Sequence, residues 1–150
     1  MTQLSTPVTG RTILEGIRDG QVEPPPTARL LDLQLVAVGD GATTFRFTPA
    51  ERFGNGSPMV HGGVLAAVAD FAVATVVTTA APEGALVVTA NLNVSYVRPV
   101  RVDGPTLTCE GRLLHIGRSL AHAEASIVDD DGRLYVHATA TCHVTAPPGG

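Results

Sequence analysis

Between Gly62 and Thr79 the chain carries a single ionisable side chain, Asp70, within Gly-Gly-Val-Leu-Ala-Ala-Val-Ala-Asp-Phe-Ala-Val-Ala-Thr-Val-Val-Thr-Thr. A helix that is apolar on every side keeps no face for water, so it must be enclosed by protein or by lipid. Lipid fits poorly, because Asp70 stands mid-segment, the threonines are polar, and no Lys or Arg flanks the stretch. The segment therefore predicts one long, buried, central helix.

Asp70 has no cheap place in such a helix, since an isolated buried carboxylate costs several kcal/mol unless paired, hydrogen-bonded or neutralised (about 3–5 when its partner is removed). Before it stands His61-Gly62-Gly63. Two glycines allow another group to approach the backbone and leave early helix N–H groups uncovered at the positive end of the dipole. That end suits an anion or a polarised carbonyl oxygen. Eight residues of helix place Gly62 and Asp70 roughly 12 Å apart along the axis, too far for both to touch one carbonyl. Cooperation requires Asp70 of one copy to meet Gly62 of another, and a two-fold homodimer with antiparallel helices would achieve this.

Asn55, His61-Gly62-Gly63 and Asp70, followed by Asn91-Leu-Asn-Val-Ser-Tyr-Val-Arg-Pro99, resemble the hotdog-fold acyl-CoA thioesterases of the phenylacetic-acid-degradation type. The resemblance covers roughly residues 28 to 145. It implies an α+β hotdog fold, a five- to six-stranded antiparallel sheet wrapped around one long helix, preceded by a tail and short helix (residues 1–27) and followed by a tail (146–150).

The same resemblance implies thioester hydrolysis without a metal or redox cofactor, coenzyme A entering as part of the substrate. Gly62 N–H would face the thioester oxygen, with Asn55 joining the oxyanion site or positioning water. Asp70 would be nucleophile or general base, and the sequence leaves both open. His61 is a further catalytic candidate with two readings, assisting polarisation of the carbonyl or pinning the loop by hydrogen bonds, the second being favoured. A hydroxyl that steadies the attacking water cannot stand four residues past the acid, where Ala74 sits, and by motif matching falls on Thr89. Pro58 occupies a position where the family often has Gly, which restricts the loop before the helix. Coenzyme A phosphates need cations, and Arg98, Arg101 and Arg118 lie at strand ends and turns. Gly63, Asn91 and Ser119 complete the candidate binding set. Two other outcomes remain: a non-catalytic module binding acyl-CoA or another small apolar ligand, and a dehydratase acting on hydroxyacyl thioesters.

Composition agrees with one folded domain: 150 residues, 44% hydrophobic and only 16% charged. A net charge of −4 argues against a general nucleic-acid surface. Cys109 and Cys142 lack metal-like spacing and read as buried thiols, and His115, His122, His137 and His143 form no metal set. No basic region followed by an apolar run opens the chain, so the expected location is the cytoplasm, and the expected assembly is a homodimer or dimer of dimers.

Along the chain, Arg11–Asp19 has helical spacing and is closed by Gly20 and Pro24-Pro25-Pro26. Leu30–Val38 and Ala42–Thr48 flank a Gly-Asp-Gly turn. Residues 85–97 form a long strand, whose set Leu86, Val88, Ala90, Leu92, Val94 and Tyr96 should pack on the helix, leaving Val87, Thr89, Asn91, Asn93 and Ser95 on the other face. Three further strands follow, over 106–115, 119–128 and 134–144.

Overall fold

A computed structural model describes residues 8–145, so the two predicted tails lie largely outside the described residues. Helix α1 (Gly10–Arg18) and the short α2 (Pro26–Leu30) precede strands β1 (Gln34–Gly39) and β2 (Ala42–Phe47). The long helix α3 (Gly62–Thr78) follows, then β3 (Leu86–Tyr96), β4 (Leu107–Ile116), β5 (Leu120–Val128) and β6 (Leu134–Thr145). All six strands form one antiparallel sheet in the order β1-β2-β4-β5-β6-β3. This is the helix-wrapped sheet expected from the sequence.

Two boundaries differ from expectation. Pro26 does more than stop the preceding helix: it opens α2, because a proline at the first helical position loses no hydrogen bond that the helix would have made. Leu30 consequently ends a helix, and β1 begins only at Gln34.

Alternation in β2, β4, β5 and β6 points Phe45, Phe47, Leu107, Cys109, Ala121, Ala123, Ala125, Ile127, Val136, Ala138, Ala140 and Cys142 at α3, and all are buried. From α3, Leu65, Val68, Ala69, Ala72, Val73, Val76 and Val77 meet them. Valine is a mediocre helix former, so packing rather than propensity carries this helix. Both cysteines are buried free thiols, and burial pushes the Cys109 thiol up to about 12.

The other side of α3 is less covered than its composition demands. Gly63, Ala67, Asp70, Ala74 and Thr78, spaced three or four apart, form a stripe that the chain covers only in part. One chain thus encloses about half of a helix that is apolar all round.

Strand β3 corrects the predicted alternation. Its register with β6 shifts between Thr89 and Asn91, so Ala90 is an extra, bulged residue. A bulge reverses which residues share a face. Val87 and Thr89 therefore face the helix together with Leu92 and Val94, whereas Leu86 and Val88 are exposed.

Close approach of sheet and helix depends on Gly111 in β4. A Cβ there would lie 2.6 Å from the Ala72 carbonyl oxygen and 2.8 Å from Thr43 Oγ1. Gly111→Ala is accordingly expected to lower unfolding stability by about 1–3 kcal/mol, the cost of overpacking a tight core, as a shift of the urea midpoint.

Candidate functional site

The site assembles from the loop before α3, from α3 itself and from both ends of β3. At the helix start, His61 is the N-cap, and Gly63 N–H donates to its Nδ1 at 2.8 Å. With Nδ1 accepting this bond, Nε2 is the ring nitrogen left to donate. The His61 carbonyl accepts from Val64 and Leu65 N–H at 3.0 and 3.3 Å. His61 thus caps the helix with both its side chain and its carbonyl. The expectation that several first-turn amides are bare is corrected: Gly63 N–H is taken, and among the described residues Gly62 N–H is left without a protein acceptor.

Asn55 precedes this turn. Its Oδ1 accepts from Ser57 N–H at 2.9 Å and from Ser57 Oγ–H at 2.6 Å, an Asx turn that fixes the side chain. Its amide nitrogen remains as the only donor it can offer a ligand. Pro58 causes no break, since Asn55 N–H donates to the Met59 carbonyl and Val102 N–H to that of Pro58. Asn55, Gly62, Tyr96 and Arg98 line one cavity of about 320 Å³.

Two turns further along α3, the half-buried Asp70 accepts at Oδ1 from Thr89 Oγ1–H, 2.7 Å away. The bulge at Ala90 makes this contact possible, because it turns Thr89 to the helix side of the sheet. Charge-assisted hydrogen bonds of this kind are among the stronger ones and hold a carboxylate in one orientation.

The candidate binding residues separate into two groups. Arg98 lies with the Gly62 end, its guanidinium 5.7 Å from the Tyr135 ring centre. Arg101, nearby in the strand-end bridge to Met59, is committed to an exposed ion pair with Asp103 at 2.8 Å. Arg118 and Ser119 form the β4–β5 turn, where the Ser119 carbonyl accepts from Val144 N–H. Cross-strand pairing aligns Thr89 with Cys142 and Cys142 with Ala121, so that turn stands at the Asp70 end.

Asn91 is not brought to either group. It lies on the outer face of the sheet, where Asn93 Nδ2 donates to its Oδ1. His122 shares that outer face and pairs in register with His115, while His137 reaches Glu124 at 3.5 Å. Among the described residues no three His, Cys, Asp or Glu side chains converge as a metal site.

Sequence reasoning missed Tyr96 as a site residue. Its hydroxyl donates to the Gly62 carbonyl at 2.7 Å, and a Cβ on Gly62 would meet its ring at 3.3 Å. The only available signal was its place on the helix-facing side of β3.

One long helix packed against a six-stranded antiparallel sheet is the hotdog arrangement. The Thioesterase superfamily model matches residues 58–136, just over half of the sequence, and the chain belongs to that family. Among solved structures, a phenylacetic acid degradation-related protein of Ralstonia eutropha JMP134, assigned as a thioesterase, is 30% identical, with 88% of this chain and 99% of that one covered at a TM-score of 0.79. Escherichia coli PaaI, from the phenylacetic acid degradation operon, matches at 20% identity with 93% and 98% covered and a TM-score of 0.79, a likeness of fold. A Halobacterium salinarum protein bearing the name of an esterase is 34% identical over 103 residues, which span 65% of this chain and 66% of that protein, slightly under two thirds.

If His61 acts as a helix cap, His61→Ala should cost about 1 kcal/mol of unfolding stability, whereas His61→Asn, a good capping residue, should cost only a few tenths. Equilibrium denaturation of the two variants measures both.

Proposed function

We propose that the protein is a cytoplasmic acyl-CoA thioesterase, active as a homodimer or dimer of dimers, in which Asp70 of one subunit faces the Gly62 amide of the other. The observation that carries this reading is the pairing of the Thr89-held Asp70 carboxylate with an uncommitted Gly62 N–H on the same unbroken helix. Eight residues of helix keep the two about 12 Å apart. Two further features favour a second copy: β3 presents an 11-residue edge paired only with β6, and the small-residue stripe of α3 that bears Asp70 is only partly covered.

In the proposed site, Gly62 N–H and the Asn55 side-chain amide hold the thioester oxygen as negative charge develops on it. The Asp70 carboxylate either attacks the carbonyl carbon, giving a mixed anhydride that water then cleaves, or removes a proton from the attacking water. In both routes the C–S bond breaks and coenzyme A leaves as the thiol. Thr89 holds the carboxylate in line. Arg98 at one end, and the Arg118–Ser119 turn at the other, supply donors for phosphates once a two-fold axis joins the two halves. No metal or redox cofactor enters this scheme. The link of the Ralstonia protein with phenylacetic acid degradation puts arylacetyl-CoA esters first among substrates to assay.

Release of free thiol from a panel of acyl-CoA esters tests the proposal. Asp70→Asn should lower turnover by about 10²–10⁴-fold while the protein stays folded and binds its ester. Binding without thiol release by the wild-type protein would instead establish a non-catalytic module, and reversible hydration of an enoyl thioester would establish a dehydratase. Thr89→Val should slow turnover by about tenfold, the equivalent of ~1.4 kcal/mol, with Thr89→Ser restoring it.

Sharing of the site between subunits has its own test. Asp70→Asn and Gly62→Pro, each inactive alone, should regain roughly a quarter of wild-type activity when unfolded together and refolded, because each mixed dimer rebuilds one intact site. No recovery would refute a shared site.

A further inference from the structure

We propose that Tyr96 is a positioning residue that fixes the Gly62 peptide, so that one amide, Gly62 N–H, is presented to the substrate. The inference rests on the thioesterase reading for its catalytic consequence, but its geometry stands independently.

Two successive peptide planes meet at Gly62. The first, between His61 and Gly62, is held at its carbonyl by Val64 and Leu65 N–H. The second, between Gly62 and Gly63, is held at both ends: Tyr96 Oη–H donates to its carbonyl at 2.7 Å, and its N–H donates to His61 Nδ1 at 2.8 Å. Of the four polar groups in these two planes, three are committed to protein partners. Gly62 N–H is the fourth.

The glycines explain why a clamp is needed. A side chain at Gly62 would crowd the Tyr96 ring at 3.3 Å, and one at Gly63 would meet His61 Nδ1 at 3.0 Å, so either would press the neighbouring ring aside by a few tenths of an ångström. Glycine, however, has the widest backbone freedom of any residue. Two glycines in sequence would leave the direction of Gly62 N–H poorly defined at the position where charge stabilisation needs a donor fixed in advance. Tyr96 and His61 hold the plane between the glycines, and with the preceding plane held at the His61 carbonyl, the rotation about Gly62 that would turn its N–H is fixed. Hydrogen bonds accepted at a peptide carbonyl also polarise the N–H of the same peptide. The Tyr96 bond therefore strengthens the cap at Gly63, and the helix-start bonds to the His61 carbonyl strengthen the free donor at Gly62.

Tyr96 also lies on the wall of the cavity that holds Asn55, Gly62 and Arg98. Its hydroxyl is engaged with the backbone, so the ring is fixed there as well.

Tyr96→Phe keeps the ring and removes only the donor, and the half-exposed position tolerates it. On the thioester that the wild-type protein turns over best, kcat should fall by about tenfold with KM within about twofold, a smaller loss than the 10²–10³-fold of deleting an oxyanion donor outright. In the Asp70→Asn background, the infrared carbonyl stretch of the bound thioester should move toward its free value when Tyr96→Phe is added. The Gly62 and Gly63 amide resonances should shift and exchange faster with solvent in Tyr96→Phe, a readout that needs no turnover.

An unchanged kcat, carbonyl stretch and pair of glycine amides in Tyr96→Phe, beside an inactive Asp70→Asn, would overturn the role assigned to Tyr96. Failure of the thioesterase reading looks different: the wild-type protein releases no thiol, while the glycine amides still respond to Tyr96→Phe and uphold the clamp.

Discussion

The constraint on which this structure depends is the enclosure of a 17-residue helix that is apolar on every side but for one carboxylate, Asp70. Water cannot be left against such a surface without losing the burial that stabilises it, worth about 25 cal/mol per Å² of apolar area. The sheet meets that demand on one side only, with small residues, Ala121, Ala123, Ala138 and Gly111, that bring strand backbone close under the helix. On the other side lie Gly63, Ala67, Asp70 and Ala74. Small side chains there allow a second helix to approach closely, and the one carboxylate among them is the one group whose burial must be compensated. Packing and chemistry thus meet on the same stripe.

The helix start resolves a conflict between freedom and direction. Glycines at positions 62 and 63 let the Tyr96 ring and the His61 imidazole sit within 3.0–3.3 Å of where side chains would be. The same two groups restore the order that the glycines give up. A loop held by an Asx turn at Asn55, a cap at His61 and a long-range hydroxyl bond from Tyr96 is over-determined for a short connection. Such over-determination is typical where a backbone donor must point in one direction.

Much of this was legible from the residues, and the parts that were not share a cause. The long helix followed from its near-absence of charge, the hairpin at residues 39–41 from Gly-Asp-Gly, and a hydrogen-bond partner for Asp70 from the cost of placing it there without one. Local chemistry was enough in each case. The face of β3 was misread in its first half because strict alternation cannot reveal a bulge, and Ala90 carries no turn signal. Pro26 was read as a terminator because a proline ends one helix and begins another with the same side chain. The Tyr96 hydroxyl meets Gly62 across 34 positions of sequence, a distance at which periodicity says nothing. Asn91 was grouped with the binding residues through its motif, yet its place in the alternation with Leu92 and Val94 keeps its side chain on the outer face.

That bulge links the fold to the proposed chemistry more directly than any other element of the sheet. Without the extra residue, the alternation that carries Leu92 and Val94 toward the helix would carry Leu86 and Val88 there as well, and Thr89 would face outward. Asp70 would then sit against apolar side chains with no donor from β3 to hold it. With Ala90 inserted, the half of β3 near the strand end keeps Tyr96 on Gly62, while the other half turns to bring Thr89 to Asp70. One strand therefore holds the carboxylate at one end and orients the amide at the other, at opposite phases of the same pleat. An antiparallel second copy would set the amide end of one strand beside the carboxylate end of the next, and a single-residue insertion in the middle of β3 would then bear on the proposed shared site.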